Sequence, residues 1–308
     1  MTEIASRVRT FELSPALFRT LAVATTAALY LIIVTGTTVR LTSSGLGCES
    51  WPGCQEGRPF PEKDYHSFIE FGNRLVGGVV IVATLLTALA ALRAPGLPRY
   101  ARRSALAVFV GTLAQAPLGY LTVRFDLNPY LVISHFLLSA VVLAGAVVVA
   151  VAALGAERGT VPPLVPRELR IAALAAAVGC FVLLVSGTIA TAAGPHPGDS
   201  FKGDRLWRLQ EAVFSHAVGT AIFGVSFAFL LGYLVSRRSQ SPRLLALALG
   251  VLALVGVQIT IGGIQYHARL PWWLVLMHVA TAAAVWIGVV ALAALFRRPL
   301  ASLAARVN

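Results

Sequence analysis

Eight apolar runs, each close to twenty residues, alternate with short polar segments along the chain: about 18–39, 68–92, 104–122, 131–153, 170–190, 212–235, 243–264 and 272–296. An α-helix rises about 1.5 Å per residue, so roughly 20 apolar residues cross the hydrocarbon core of a bilayer. The pattern predicts an all-α membrane protein with eight transmembrane helices. Residues 1–17 are polar and carry no short cleavable leader, so the first run is expected to stay as a helix. Pro117, inside the third run, predicts a kink.

The runs repeat. Adding 143 to a residue number in runs two to four returns the same residue type in runs six to eight: Phe71 and Phe214, Gln115 and Gln258, Gly119 and Gly262, His135 and His278, Ala140 and Ala283. Run one matches run five at an offset of 151, "VTGTTVR" beside "VSGTIAT", with Gly36 on Gly187. Shared Leu, Ala and Gly prove little in apolar helices, but Gln and His at one common separation are harder to assign to chance. The reading is two pseudo-symmetric four-helix bundles in a parallel repeat, residues 1–155 and 156–308. An even number of helices per unit gives both the same orientation.

Charge then orients the bundle. The chain is 57% hydrophobic and only 12% charged, where soluble domains carry roughly 25%. Its formal charge is +12. If the N-terminus is cytoplasmic, the inner segments hold sixteen Lys or Arg against four acids, and the outer loops hold eight of each. The whole excess falls on one side, which places both termini in the cytoplasm. That accounts for the basic character without a nucleic-acid partner. Cys48 and Cys54 lie in "GCESWPGC" in the first outer loop, an oxidising compartment where a disulfide is expected if the Trp-Pro-Gly segment turns. Two free thiols are the alternative. Cys180, inside run five, reads as a small buried hydrophobe.

Polar residues inside the runs carry the candidate chemistry. "IEFGNRLVGG" places Glu70, Asn73 and Arg74 at the start of run two. Glu70 and Asn73 share a helix face, and Arg74 is four residues from Glu70, in reach of it or of a ligand carboxylate. Gly77 and Gly78 are expected to let a neighbouring helix or a flat ligand come close. His135, His216 and His278 sit four to six residues below the outer ends of their runs, roughly 6–9 Å deep. His66, His196 and His267 are in or near the outer loops. A lone buried His is often just a hydrogen-bonded core residue. Two at matched depth in one four-helix unit make the arrangement that holds a haem iron between imidazoles. Zinc would want four ligands, and Cys and Asp are absent at this depth. Arg40, Arg74, Arg124, Lys202, Arg205, Arg208 and Arg269 gather near the outer end, as partners for haem propionates or as ordinary interfacial cations.

Together, "GCESWPGC", "IEFGNR", "ISHF", "FSHAVGTA" and "LMHVATAA" on an eight-helix repeat resemble the haem A synthase family over roughly residues 18–296. The resemblance implies an oxidoreductase of the bacterial cytoplasmic membrane that takes haem O as substrate. It oxidises the C8 methyl by two successive hydroxylations to a gem-diol, which dehydrates to the formyl group of haem A. The resemblance places a haem b cofactor on His216 and His278 in the C-terminal unit. The N-terminal unit receives haem O, with His135 on the substrate side and Glu70 as the catalytic carboxylate. Cys48 and Cys54 match the family's loop pair. Haem O synthase and terminal-oxidase assembly are the implied partners, and oligomers stay open. One position departs from the pattern: Asn73 stands where the family usually has a histidine, as in a sub-group with Asn there. His135 is then expected to be the principal axial ligand of the substrate, with Asn73 and Arg74 beside it.

Three readings of other classes compete. A two-haem electron carrier has little reason to lose a ligand at Asn73 and gain an acid at Glu70, whose repeat partner is Val213. A membrane thiol oxidoreductase would use Cys48 and Cys54, but Cys180 cannot supply a second pair. A transporter would carry broken helices near the midplane, and the polar residues here lie nearer the outer end.

Overall fold

The computed structural model describes residues 13–51, 53–57, 60–61, 64–196, 198 and 207–303. Pro52, Lys202 and Arg205 lie outside the described residues, as do most of the charges of the two terminal tails. The eight expected helices are present: α1 (Pro15–Leu41), α2 (Tyr65–Arg93), α3 (Arg99–Arg124), α4 (Pro129–Arg158), α5 (Arg167–Ala193), α6 (Leu209–Ser236), α7 (Pro242–His267) and α8 (Trp272–Arg297). Each is long and apolar enough to cross a membrane, and no strand occurs among the described residues. The protein is an all-α, multi-pass membrane protein.

The helices run past the apolar stretches, and three of them are capped by side chains at their first turns. Ser14, Asp64 and Asn128 accept amide hydrogens of the first turns of α1, α2 and α4. Proline stands in the first turn of α1, α4 and α7, where its missing N–H costs nothing. Pro117 is accommodated within α3, which continues to Arg124.

Helices α1 to α4 pack in a closed ring, each on its sequence neighbour and α1 on α4, and α5 to α8 do the same. Across the two sets, contacts run only through α1, α4, α5 and α8. α4 and α8, at the centre, are the most enclosed, and their Ala, Val and Gly residues permit that. A Cβ on Gly145 of α4 would stand 2.8 Å from Val108 of α3, and a Cβ on Gly288 of α8 would stand 2.8 Å from Val251 of α7. Both members of those pairs are 143 residues apart. The turns after α3 and α7 also match. Asp126 and Leu127, and then Arg269 and Leu270, all have positive φ. In each turn the second residue donates back to a carbonyl five positions earlier, Leu127 to Thr122 and Leu270 to Gln265. This is a Schellman-type stop without glycine. The loop between α1 and α2 is eight residues longer than that between α5 and α6, which accounts for the larger offset between α1 and α5.

The two sets of helices are joined by a buried hydrogen bond: the Trp286 indole of α8 donates to the Ala140 carbonyl of α4 at 2.8 Å. Trp286→Phe keeps the aromatic packing and removes the donor. The expected cost is about 1 kcal/mol, read as a lower thermal midpoint in detergent with unchanged helical circular dichroism.

Candidate functional site

His135, His216 and His278 are six, seven and six residues into α4, α6 and α8, and Asn73 is eight into α2. All four therefore lie at one level, near the end of the bundle that carries the Cys48–Cys54 loop. Each is seated against a neighbouring helix at a glycine. A Cβ on Gly187 of α5 would meet His216 Cε1 at 3.1 Å, and one on Gly262 of α7 would meet His278 Cε1 at 2.9 Å. In the first half, Gly119 of α3 faces His135 Cε1 at 3.4 Å, and Gly36 of α1 faces Asn73 Oδ1 at 3.8 Å. The glycines pair by the same offsets as the residues they support. Gly77 and Gly78 do not serve a neighbouring helix. Nothing approaches within 4 Å of a Cβ built on either, so no helix packs there. Gly77, four residues after Asn73 and seven after Glu70, shares their face of α2, and Gly78 is turned away from it.

Polar contacts reinforce the seats. Ser186 Oγ of α5 lies 3.0 Å from His216 Nδ1 and donates to the Leu183 carbonyl at 2.9 Å. Gln258 of α7 reaches His278 Nε2 at 3.1 Å. In the first half, Thr35 of α1 donates to Asn73 Oδ1 at 2.8 Å, and Gln115 of α3 donates to the His135 carbonyl and to Ser139. Sequence reading paired Gln115 with Gln258 but gave them no role, and it passed over Thr35 and Ser186. The signal was present in the aligned strings, where a hydroxyl precedes the shared glycine in both.

The His216 and His278 rings face each other with centroids 6.5 Å apart. Two metal–nitrogen bonds of roughly 2 Å, plus about 1 Å from each nitrogen to its ring centre, span that distance. His278 Nδ1 and His135 Nδ1 are buried without a hydrogen-bond partner, a state that ordinarily costs about 1–3 kcal/mol. The His135 nitrogen suits a ligand that takes a lone pair, and the His278 nitrogen does so once Gln258 presents its unpartnered Oε1, in place of its NH2, to Nε2. Among the described residues no three His, Cys, Asp or Glu side chains converge on a common point. The donor set thus fits a metal carried in a macrocycle between two imidazoles, and lacks what a bare zinc ion needs.

Glu70 is buried, and its partners tie α2 to the loop above it. Glu70 Oε1 pairs with Arg74 at 2.5 Å, and Oε2 accepts the Cys48 amide at 2.8 Å. Arg74 also donates to the carbonyls of Ser50, at 2.7 Å, and Gly53. Cys48 and Cys54 form the disulfide, and the Cys54 carbonyl accepts the Glu49 amide at 2.8 Å and the Ser50 amide at 3.3 Å. Ser67 donates to the Gly47 carbonyl at 2.6 Å. Gly47 lies so close to the His66 backbone that a Cβ would stand 2.6 Å from its carbonyl carbon, so only glycine lets the loop lie down. Asp64, the α2 cap, is held below the usual carboxylate range, chiefly by the Ser67 amide.

The expected cations scatter. Arg74 serves Glu70 and the loop, Arg40 donates to the Thr191 carbonyl at the end of α5, and Arg208 pairs with Glu211 on the surface. Of the other histidines, His66, in the first turn of α2, bonds Ser44, and His196 bonds the Leu270 carbonyl. Cys180 is buried with a free thiol, as expected.

The COX15-CtaA family model, described as cytochrome oxidase assembly protein, matches residues 19–290. The chain is 34% identical to the Heme A synthase of Bacillus pumilus over 155 residues, which cover 49% of this chain and 50% of that protein. It is 32% identical to the Heme A synthase of Geobacillus kaustophilus over 111 residues, 34% of this chain and 33% of that protein. It is 29% identical to a Protoheme IX farnesyltransferase of Thermus thermophilus over 291 residues, 83% of this chain and 45% of that protein. The matches thus span about a third to a half of the length of these relatives.

Arg74→Ala should release the loop. It removes charge-assisted bonds to two carbonyls and to Glu70, each typically about 1.5–3 kcal/mol. The Glu49 and Ser50 amides should exchange with deuterium at least about tenfold faster, equivalent to about 1.4 kcal/mol, with α2 and α6 protection unchanged.

Proposed function

This chain belongs to the COX15-CtaA family of cytochrome oxidase assembly proteins, and we propose that it is a haem A synthase that oxidises the C8 methyl of haem O to a formyl group. Family membership gives the coarse statement, an enzyme of haem A biosynthesis. The observation that carries the finer one is the asymmetry between two like-built seats. The C-terminal half, residues 156–308, presents two facing imidazoles. The N-terminal half, residues 1–155, presents one imidazole, an amide and a buried acid.

In this reading His216 and His278 hold haem b, which supplies a one-electron redox centre when bound. Ser186 keeps His216 Nδ1 engaged, so its other nitrogen is available to iron. With the Gln258 amide turned so that its otherwise unpartnered Oε1 accepts the His278 Nε2 hydrogen, Nδ1 of that ring keeps the lone pair. Haem O lies in the first half against His135, with Asn73 and Arg74 at its margin. Glu70 is the catalytic carboxylate and handles protons close to the methyl. It accepts two hydrogen bonds now, and a carboxylate has about four acceptor sites, so capacity remains. The disulfide loop, tied to Glu70 and Arg74, covers that end of the pocket and keeps water out. In this reading the end faces outward from a bacterial cytoplasmic membrane with both termini inside, which the excess of basic residues on the other side supports. Haem O synthase and terminal-oxidase assembly supply the substrate and use the product.

Farnesyl transfer does not compete as a reading. More than half of the Thermus protein lies outside the match, and no residue described here needs that activity. An electron-carrying cytochrome stays distinguishable by products.

Haem extraction and chromatography test the proposal. Wild-type protein given haem O should yield haem A. Glu70→Gln, nearly isosteric, should keep haem b and accumulate haem O or its alcohol, with haem A reduced at least about a hundredfold, the scale of a lost general acid or base. His278→Ala should lose the low-spin haem b spectrum. Normal haem A output from Glu70→Gln would remove that residue from the mechanism, and haem b alone in every preparation would favour the cytochrome.

The glycine seats give a separate test. Gly262→Ala should displace the His278 ring and weaken the haem b spectrum at least about tenfold, although Ala favours a helix by about 1 kcal/mol over Gly. Gly36→Ala meets its neighbour at 3.8 Å, an ordinary contact, and should leave both spectra intact.

A further inference from the structure

The two halves build the same bracket around position 73 and position 216, and fill it differently. In the second half the Leu183 carbonyl takes the Ser186 hydroxyl hydrogen at 2.9 Å. A carbonyl only accepts, so Ser186 Oγ is left to receive the His216 Nδ1 hydrogen at 3.0 Å. That leaves Nε2 with a bare lone pair. In the first half, Thr35 and Ile32 stand where Ser186 and Leu183 stand, each 151 residues earlier. Thr35 Oγ1 is 2.8 Å from Asn73 Oδ1 and 3.3 Å from the Ile32 carbonyl. Asn73 Oδ1 therefore takes the place that His216 Nδ1 has in the second half, with the hydrogen running the other way, from the Thr35 hydroxyl to Asn73. Its side chain ends there, with no atom as far out as Nε2. With Oδ1 taken by Thr35, its other polar group is an amide NH2, which donates and offers no lone pair to iron.

Nothing else described on this side replaces the missing ligand. Glu70 is committed to Arg74 and the Cys48 amide, and His66 Nδ1 is bonded to Ser44. Across the bundle His135 has a buried Nδ1 without a partner and a glycine against its ring.

We propose that a haem held by His135 keeps its Asn73-side axial position open to a small diatomic ligand, and that the Asn73 NH2 donates a hydrogen bond to the ligand bound there. This rests on the reading of the first half as a haem site. It adds that this haem, unlike the one between His216 and His278, is a ligand-binding centre.

Carbon monoxide is the probe, added to the full-length protein loaded with haem O, reduced with dithionite and quantified for total haem. The expected result is about one carbon monoxide per two haems, with the low-spin haem of the second half unchanged. Asn73→His should supply the missing nitrogen, convert the first-half haem to low spin and cut carbon monoxide binding at least about tenfold. Asn73→Ala guards against misfolding of the larger variant. It should bind carbon monoxide at full stoichiometry with a shifted C–O stretching frequency, because the amide donor is gone. Two haems bound with no carbon monoxide uptake would overturn the inference while leaving the haem-site reading intact. Unchanged uptake in a folded Asn73→His protein, or an unshifted stretch in Asn73→Ala, would overturn it as well. A single haem in His135→Ala and in wild type alike would sink the underlying reading instead.

Discussion

Everything at the candidate site depends on how closely one helix can approach the side chain of the next. An imidazole at the level of Gly187 or Gly262 has no room for even a methyl group opposite it, at 3.1 and 2.9 Å. With few rotamers open to the ring, its nitrogens are fixed relative to the bundle before any ligand arrives. In a membrane the helices gain little from the hydrophobic effect against each other, so close packing over small residues and interhelical hydrogen bonds set their separation. The Gly-and-hydroxyl pair, Thr35–Gly36 or Ser186–Gly187, supplies both at one place.

The second constraint is the clasp between α2 and the loop above it. A buried carboxylate and a largely buried guanidinium are costly to desolvate, and geometry must return that cost. Here Glu70 has Arg74 and the Cys48 amide, and Arg74 has two loop carbonyls besides. The disulfide closes the seven-residue segment that presents those backbone groups. Gly47, pressed on the His66 backbone, sets its height. Removing any of these leaves a buried charge short of partners, so the loop and the acid are one unit in physical terms.

Much of this was legible in the chain. Hydropathy gave all eight helices, because crossing lipid leaves the backbone no other choice. The histidines stood out as polar residues at a common depth, and the Glu70–Arg74 pair followed from i, i+4 spacing. What stayed hidden needed the third dimension. Gly77 and Gly78 drew attention by adjacency to the motif, whereas the glycines that matter lie on partner helices, in α1, α3, α5 and α7. Arg74 offered a carboxylate partner outside or inside the protein, and only the fold of the disulfide loop shows its remaining donors in use. The Trp286 bond to α4 has no counterpart in the repeat, since Leu143 occupies the matching position.

The repeat also locates where the halves diverge. Turns, glycine seats, Gln115 with Gln258 and the hydroxyl brackets match across the two sets of helices. The departures that touch the candidate site fall at one end of α2: Glu70 for Val213, Asn73 for His216, and a longer, disulfide-closed loop bound to that same helix end. Residues 70 and 73 are one turn apart on one face. A single helix end therefore carries both the loss of an imidazole and the gain of an acid, and its loop is anchored through that acid. In the proposed reading this helix end exchanges a seat with two imidazoles for one with a single imidazole and a carboxylate beside it, which suits a site that alters and releases its macrocycle.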